Sequence, residues 1–197
     1  MKKHLVGALC VCSLIAGAAC AAPVVQPGTY ALETTHTEVL FGIDHMGFST
    51  FYGEFPGSTG TLVVNGANPL ASQLDVSTPI AGVMTSSAKL NEELRSAQWL
   101  DAGKYPSMTF HSTRITPTGP DTADVAGDLT LHGVTKPVVL HARFKRAGDA
   151  PMMHAYMAGF EVSGEIRRSD FGVSNYIPIL GDEVHLIISA PFVRKGP

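Results

Sequence analysis

The stretch GDLTLHGVTKPVVLHARFK, residues 127–145, carries the clearest structural signal in this 197-residue chain. From Val138 to Lys145 every second residue is apolar, the period of two that is typical of a β-strand with one buried face. Residues 123–131 predict a second strand, and Gly133-Val134-Thr135 predicts a tight connection between the two. The stretch therefore predicts two consecutive antiparallel strands.

The same signals recur over the chain from about residue 28 to residue 193. Runs of β-branched and aromatic residues alternate with polar ones and end at Gly, Pro, Asn or Asp, which predicts eight or nine short strands. Strands at such short spacing favour an antiparallel sandwich or barrel over alternating strand–helix units. We see no linker or internal repeat, so we expect one all-β domain.

One stretch departs from this pattern. Residues 86–101, SSAKLNEELRSAQWLD, are mostly helix formers, and Leu90, Leu94 and Ala97 share one helical face. A serine at position 86 or 87 is a suitable N-cap. These features predict one short amphipathic helix that rests on the sheet or over one mouth of a barrel.

The first residues have the features of a secretory signal peptide. Lys2 and Lys3 precede an apolar run from Leu5 to Ala22, and small residues favour cleavage after Ala21. We therefore expect a signal peptide over 1–21, a mature domain over 22–197 and a periplasmic location, with lipid attachment at Cys20 as the alternative. Because Cys10, Cys12 and Cys20 leave with the signal, the mature chain has no disulfide and no thiol chemistry.

Charge and motifs argue against several function classes. Processing removes two lysines, which leaves 12 basic against 17 acidic residues, a poor balance for binding nucleic acid. The sequence has no GxSxG, GxGxxG or P-loop motif, and no local pair of histidines with metal-ligand spacing. We therefore expect no enzyme activity and no metal or cofactor. Because strands can bring distant residues together, a metal-dependent enzyme that uses converging histidines stays open as an alternative.

The large apolar residues of the chain are candidates for the interior of such a barrel. An eight-stranded closed sheet is wide enough either to be filled by side chains or to hold one small ligand. Composition does not separate a filled barrel from a hollow one. The candidate inward positions with large apolar side chains are Phe41, Ile43, Phe51, Phe55, Met84, Phe110 and Phe160.

Five stretches of the chain resemble the motifs of the YceI-like family, in the same order. They are THTEVLF (35–41), FGIDHMGFSTFYGEF (41–55), LRSAQWLDAGKYPSMTFHST (94–113), GDLTLHGVTKPVVL (127–140) and GEIRRSDFGV (164–173). Two details depart from the family pattern, because Thr37 stands where serine is commoner and Trp99-Leu100 replaces an aromatic pair. The resemblance covers nearly all of the mature chain.

This resemblance implies a fold and a function. The family has a lipocalin-like antiparallel barrel of about eight strands and binds polyisoprenoid chains, so we expect a non-catalytic carrier of a ubiquinone-like or polyprenyl lipid. A fatty acid or amide is the alternative ligand, and a homodimer is compatible with the family. The predicted ligand-binding residues are Phe41, Ile43, His45, Phe51, Phe55, Met84, Leu94, Trp99, Phe110, Phe160, Arg168 and Phe171.

Arg168 admits two interpretations. With Asp170, it is placed to form an ion pair and a hydrogen-bond network that closes one end of a barrel. The alternative is that its guanidinium meets the polar head group of a ligand.

Overall fold

Antiparallel strands make up most of the structure, a computed structural model that describes residues 25–196. Two 3-10 turns, Pro69–Ala71 and Arg168–Phe171, accompany the strands and one α-helix. In chain order the elements are β1 (Gly28–Leu32), β2 (Glu38–His45), β3 (Ser49–Glu54), β4 (Thr59–Val64), β5 (Gln73–Pro79), β6 (Met84–Thr85), α1 (Ala88–Arg95), β7 (Ser107–Pro117), β8 (Thr122–Leu131), β9 (Val134–Ala150), β10 (Ala155–Arg167) and β11 (Leu180–Arg194). The predicted signal peptide lies outside the described residues.

Eight of these strands form a closed ring. Their order is β1-β4-β5-β7-β8-β9-β10-β11, and β1 pairs back onto β11 to complete the barrel. The closing pairs join Tyr30 to Arg194 and Leu32 to Phe192. The predicted antiparallel barrel of about eight strands is therefore confirmed.

The long strand β11 pairs with two different strands along the same edge. Its C-terminal part pairs with β1, whereas Val184–Ser189 pairs with β2. Strands β3 and β6 continue outward from β2. The wall of the barrel therefore branches, and β2, β3 and β6 extend it at the end where β11 begins.

The hairpin predicted from residues 127–145 forms as strands β8 and β9. Leu131 pairs with Val134 around a two-residue connection, His132-Gly133, in which both residues have positive φ. Glycine adopts this backbone without strain. At Gly133 a Cβ atom would also lie 2.4 Å from the ring of Tyr105.

The helix is shorter than the sequence predicts. It spans Ala88–Arg95 instead of 86–101, with Ser87 as N-cap, whose hydroxyl accepts a hydrogen bond from the Leu90 N–H at 3.3 Å. It ends because the N–H and the hydroxyl of Ser96 both donate to the carbonyl of Glu93 while Ser96 adopts an extended backbone. Competition of this kind is characteristic of serine. The chain then turns, so that Trp99 is buried instead of continuing the helix.

Two apolar clusters occupy the ends of the barrel. One gathers residues of β7 and β8 with the segment after α1 and the 3-10 turn before β11: Ile80, Trp99, Leu100, Phe110, Leu129, Leu131, Phe171 and Val173. The other surrounds the seam between β1 and β11: Tyr30, Leu32, Leu62, Ala158, Ala190 and Phe192. We call the first the mouth end and the second the seam end.

We predict that Gly133→Ala destabilises the protein by about 1–3 kcal/mol, because alanine at φ 74° is strained and its methyl group collides with Tyr105. Urea unfolding followed by circular dichroism measures the change. Gly103→Ala is the matched control, since nothing lies within 4 Å of its added Cβ. Equal stabilities of the two variants would contradict the prediction.

Candidate ligand-binding cavity

A cavity of about 730 Å³ occupies the interior of the barrel. This volume lies within the range of about 300–1,000 Å³ that is usual for small-molecule sites. The period of two along each strand brings alternate side chains to its wall. The strand residues that line it include Val39, Phe41 and Ile43 of β2, Leu74 and Val76 of β5, Val138, Leu140 and Ala142 of β9, Phe160 and Val162 of β10, and Val184, Leu186, Ile188, Ala190 and Phe192 of β11.

A register shift in β7 changes which residues face inward. Phe110 lines the cavity and Ser112 is buried, but beyond the shift between Ser112 and Arg114 the inward residue is Ile115. The extra residue of a bulge reverses the alternation in this way. The buried hydroxyl of Ser112 accepts a hydrogen bond from the Leu74 N–H at 2.8 Å, which links β7 to β5 where the ladder is interrupted.

Polar groups in the wall are satisfied internally. The hydroxyls of Ser58 and Thr78 bond to each other at 2.9 Å, and Thr37 donates to the carbonyl of Glu33 at 2.7 Å. No buried side-chain nitrogen or oxygen among the described residues lacks a partner. The surface offered to a ligand over most of the cavity is therefore apolar, which favours hydrocarbon over polar molecules.

Most of the predicted ligand-binding residues come together in this wall. The ones that line the cavity are Phe41, Ile43, His45, Phe51, Phe55, Leu94, Trp99, Phe110, Phe160 and Arg168. Aromatic rings in the wall contact one another: between ring centroids, Phe41 lies 5.2 Å from Phe55, and Phe160 lies 6.0 Å from Phe192. Their role in binding stays a prediction.

Two predicted residues lie elsewhere. Met84 pairs with Glu54 across β6 and β3, which places it on the outer face of the wall, where its side chain is half exposed. Phe171 is buried in the mouth-end cluster and does not line the cavity. Met84 was expected to face inward because large apolar residues usually do, and its strand pairing overrides that tendency. Phe171 is buried as such residues usually are, but it packs in the cluster instead of in the cavity wall.

Several wall residues escaped prediction. The inward residues of β11 follow a clean alternation from Val184 to Phe192, so the periodicity of this strand was the signal that could have identified them. Tyr176 also lines the cavity. It belongs to the irregular segment between the second 3-10 turn and β11, and no periodicity marks such a position.

The mouth end holds the charged side chains of the wall, Glu93 and Arg168. The indole N–H of Trp99 donates to the Glu93 carboxylate at 3.2 Å, and the Arg168 guanidinium lies 5.7 Å from the Trp99 ring centroid. Tyr176 lies 6.1 Å from the same indole ring. Trp99 therefore connects α1, the second 3-10 turn and the segment before β11 around one end of the cavity.

Arg168 holds that segment in place. Its guanidinium donates to the carbonyls of Gly181 at 2.8 Å, Val173 at 2.9 Å and Leu180 at 3.2 Å. Burial lowers the pKa of this guanidinium from its ordinary value, against the opposing charge of Asp182. The group nevertheless stays protonated, as arginine does in proteins. These bonds support the structural interpretation of Arg168.

The expected ion pair of Arg168 with Asp170 does not form. Asp170 is exposed. The carboxylate that joins this network is that of Asp182, which accepts hydrogen bonds from the Ser169 N–H at 2.9 Å and from the Ser169 hydroxyl at 2.7 Å. Burial raises the pKa of Asp182, but the bonds from Ser169 and the positive charge of Arg168 outweigh it, so the net direction is downward. The 3-10 turn brings residue 169, and not residue 168, against this carboxylate.

The histidines do not converge. His111, His141 and His185 each pair with a carboxylate on the neighbouring strand at the barrel exterior: Asp75, Asp124 and Glu165 respectively. The hydrogen bond that the His111 imidazole donates to the Asp75 carboxylate raises the pKa of His111. Within residues 25–196, no group of three His, Cys, Asp or Glu side chains is arranged to hold a metal ion. The same part of the chain has no helix long and apolar enough to cross a bilayer.

Comparison with known proteins agrees with this architecture. The family description "YceI-like domain" matches residues 30–192. The chain belongs to the YceI-like family. Protein YceI of Escherichia coli O157:H7 is 40% identical over 195 residues, 99% of this chain and 100% of that protein. A protein of Azotobacter vinelandii named UPF0312 protein is 38% identical over 197 residues, with 99% and 100% coverage.

Two solved structures extend the likeness. The YceI protein of Campylobacter jejuni is 28% identical, with a TM-score of 0.69 over 78% of this chain and 90% of that chain. A polyisoprenoid binding domain of Saccharophagus degradans, implicated in plant cell wall breakdown, has a TM-score of 0.65 over 86% of this chain and 100% of that one. At 14% identity, the second likeness concerns the fold alone. The predicted membership of the YceI-like family is confirmed.

We predict that Arg168→Met destabilises the protein by about 3 kcal/mol or more, because it leaves the carbonyls of Val173, Leu180 and Gly181 without their donor. Thermal unfolding followed by circular dichroism measures the loss. Arg167→Met is the matched control, because the Arg167 side chain, next to Arg168 in the sequence, is exposed and has no hydrogen bond among the described residues. A similar loss in both variants would show that the three carbonyl contacts are not what matters.

Proposed function

We propose that this protein binds the apolar tail of a polyisoprenoid lipid inside its barrel, as a non-catalytic carrier in the periplasm. The observation that carries the proposal is the cavity of about 730 Å³, whose wall is built from alternate apolar residues of the ring strands. Membership of the YceI-like family and the fold shared with a polyisoprenoid binding domain support the same ligand class. A ubiquinone-like or polyprenyl lipid fits this description.

The energetics favour a hydrocarbon chain. Each buried CH₂ group is worth roughly 0.8 kcal/mol, so one five-carbon isoprene unit gains about 4 kcal/mol before costs. Several units would exceed any realistic affinity, and the ordering of a flexible tail offsets much of the gain. Cavity length and shape therefore select the ligand more than total apolar area does. A fatty acid or a fatty amide is the alternative, because the wall offers it the same apolar contacts.

The location rests on the first residues of the chain. Lys2-Lys3 and the apolar run that follows support export, and cleavage after Ala21 would release a mature chain without cysteine. The intact mass of the purified protein tests this part of the proposal. A mass that corresponds to residues 22–197 supports it, and a mass that retains residues 1–21 or carries a lipid at Cys20 contradicts it.

We predict that solvent extraction of the protein, expressed from its full-length sequence, releases a prenyl lipid in near-stoichiometric amount, identified by mass spectrometry. Ubiquinone added in detergent should in addition quench the fluorescence of Trp99, the one tryptophan of the chain, because this residue lines the cavity. A straight-chain fatty acid or amide in the extract would favour the alternative ligand. An empty extract with no response of Trp99 to quinone or polyprenol would overturn the proposal.

We predict that Phe41→Asp lowers the affinity for the lipid tenfold or more, because a carboxylate in an apolar wall must be desolvated when the tail enters. The Trp99 titration measures the affinity. Leu40→Asp is the matched control, since the adjacent side chain does not line the cavity.

Circular dichroism establishes that both variants are folded. Ala142→Phe is a second, uncharged variant: it reduces the cavity volume from the β9 wall and should shift the bound lipids toward shorter chains. Undiminished binding by a folded Phe41→Asp protein would show that Phe41 does not contact the bound lipid. An unchanged lipid profile in Ala142→Phe would show that the β9 wall does not contact it.

A further inference from the structure

Four exposed apolar side chains stand on two loops at the mouth end of the barrel. Phe48 is 88% exposed and Met46 is 47% exposed at the tip of the β2–β3 hairpin, and Tyr176 and Ile179 are each 61% exposed in the segment before β11. Scattered exposed apolar residues are ordinary, but neighbouring ones mark interaction sites. What matters is therefore whether these four are neighbours.

Strand pairing brings the two loops together. His45, which precedes the hairpin tip, pairs with Leu180, which follows the second loop. A Cβ atom on Gly181 would lie 3.1 Å from the Cβ of Asp44, so the loops touch at their bases. We call the surface formed by Met46, Phe48, Tyr176 and Ile179 the mouth patch.

The geometry of the hairpin makes its tip project. Met46 and Gly47 both have positive φ, 60° and 72°, and are the central residues of a tight turn that the Phe48 N–H closes by donating to the His45 carbonyl at 3.2 Å. The carboxylate of Asp44 accepts a hydrogen bond from the Gly47 N–H at 2.9 Å and stabilises this turn. Because the turn already fixes the backbone that carries Phe48, insertion of this residue into another phase requires little ordering of the main chain.

The mouth patch is continuous with the cavity. Tyr176 belongs to both, because it lines the cavity and is largely exposed. His45 and Phe51, which flank the hairpin tip on either side, also line the cavity, with their rings 6.3 Å apart. A molecule that leaves the cavity between these residues emerges beside the patch.

We propose that the mouth patch docks on the surface of a lipid bilayer, so that a lipid tail passes between membrane and cavity without crossing water. The inference rests on the proposed function, since a ligand that resides in membranes must be taken from one. Aromatic and aliphatic side chains at a protein tip enter the interface between head groups and acyl chains, and tyrosine prefers this depth.

Charge distinguishes this docking from electrostatic adsorption. Neither loop carries a lysine or arginine, over residues 44–52 or 174–180, and the first loop contains the carboxylate of Asp44. Attachment to anionic lipid requires basic residues. We therefore expect binding to vesicles of phosphatidylcholine alone, without strengthening by phosphatidylglycerol or weakening by salt.

The test is flotation of the purified protein, expressed from its full-length sequence, with phosphatidylcholine vesicles. The double variant Phe48→Ser with Ile179→Ser should partition tenfold or more weakly, because two apolar side chains no longer leave water. Met152→Ser is the matched control: its methionine is 94% exposed in the β9–β10 hairpin, at the opposite end of the barrel, and its partition should equal that of the unaltered protein. Circular dichroism verifies that the altered surface residues leave the fold intact.

Three results would overturn the inference. They are absence of the unaltered protein from the floating vesicles, equal flotation of the double variant, and a dimer of the unaltered protein that the double variant converts to monomer, which would show that a second copy covers the patch. Quenching of Trp99 by quinone in detergent separates the two proposals. Quenching without flotation leaves the proposed function standing and removes only the docking surface, whereas absence of quenching and of extractable lipid removes both.

Discussion

The pairing of β1 with the C-terminal part of β11 closes the sheet, and the properties of the interior depend on that closure. In a closed antiparallel sheet each strand turns alternate residues toward one enclosed space. Because the inward residues of β2, β5, β9, β10 and β11 are apolar, that space is apolar over most of its surface. An open sheet with the same sequence would leave these side chains in water.

The branch at β11 makes the two ends of the barrel different. At the seam end, β1 occupies the edge of β11, and Tyr30 and Phe192 are buried in a dense cluster. At the mouth end, β2 takes that edge instead, and the wall is completed by a helix, a 3-10 turn and an irregular segment. Arg168 anchors this segment through three backbone carbonyls. The end of the barrel with the least regular backbone hydrogen bonding is therefore the one that carries the charged wall residues and the mouth patch.

These contacts give the wall and the mouth different properties. The wall supplies affinity for hydrocarbon but few polar groups that could distinguish one long apolar chain from another. Arg168 lines the cavity, yet its donors are directed to carbonyls of the protein, so its main contribution is to the shape of the mouth. Under the proposed function, selection among ligands depends on the length of the cavity and on the proposed contact of the mouth patch with a membrane.

Individual strands and the start of the helix could be predicted from local sequence signals, whereas the barrel architecture needed the family resemblance. Alternation over residues 127–145 correctly predicts strands β8 and β9. The serines at 86 and 87, either of which could cap the predicted helix, place its start close to the observed Ala88, because both signals are local. Alternation also separates Phe41 from Leu40 on the two faces of β2. It left the choice between sandwich and barrel open. The resemblance to the YceI-like family supplied the barrel.

The sequence by itself determined the all-β class, the faces of the regular strands and the apolar character of the interior, since these depend on neighbours one to four residues apart. The tertiary structure alone decided four things: the reversal of faces in β7, the outward position of Met84, the three carbonyl partners of Arg168, and the presence of a cavity of about 730 Å³. Each of these depends on which distant strands pair and in what register. The volume left inside a barrel is the small difference between the space that the backbone encloses and the volume of the side chains that enter it. The enclosed space is set only when the sheet closes.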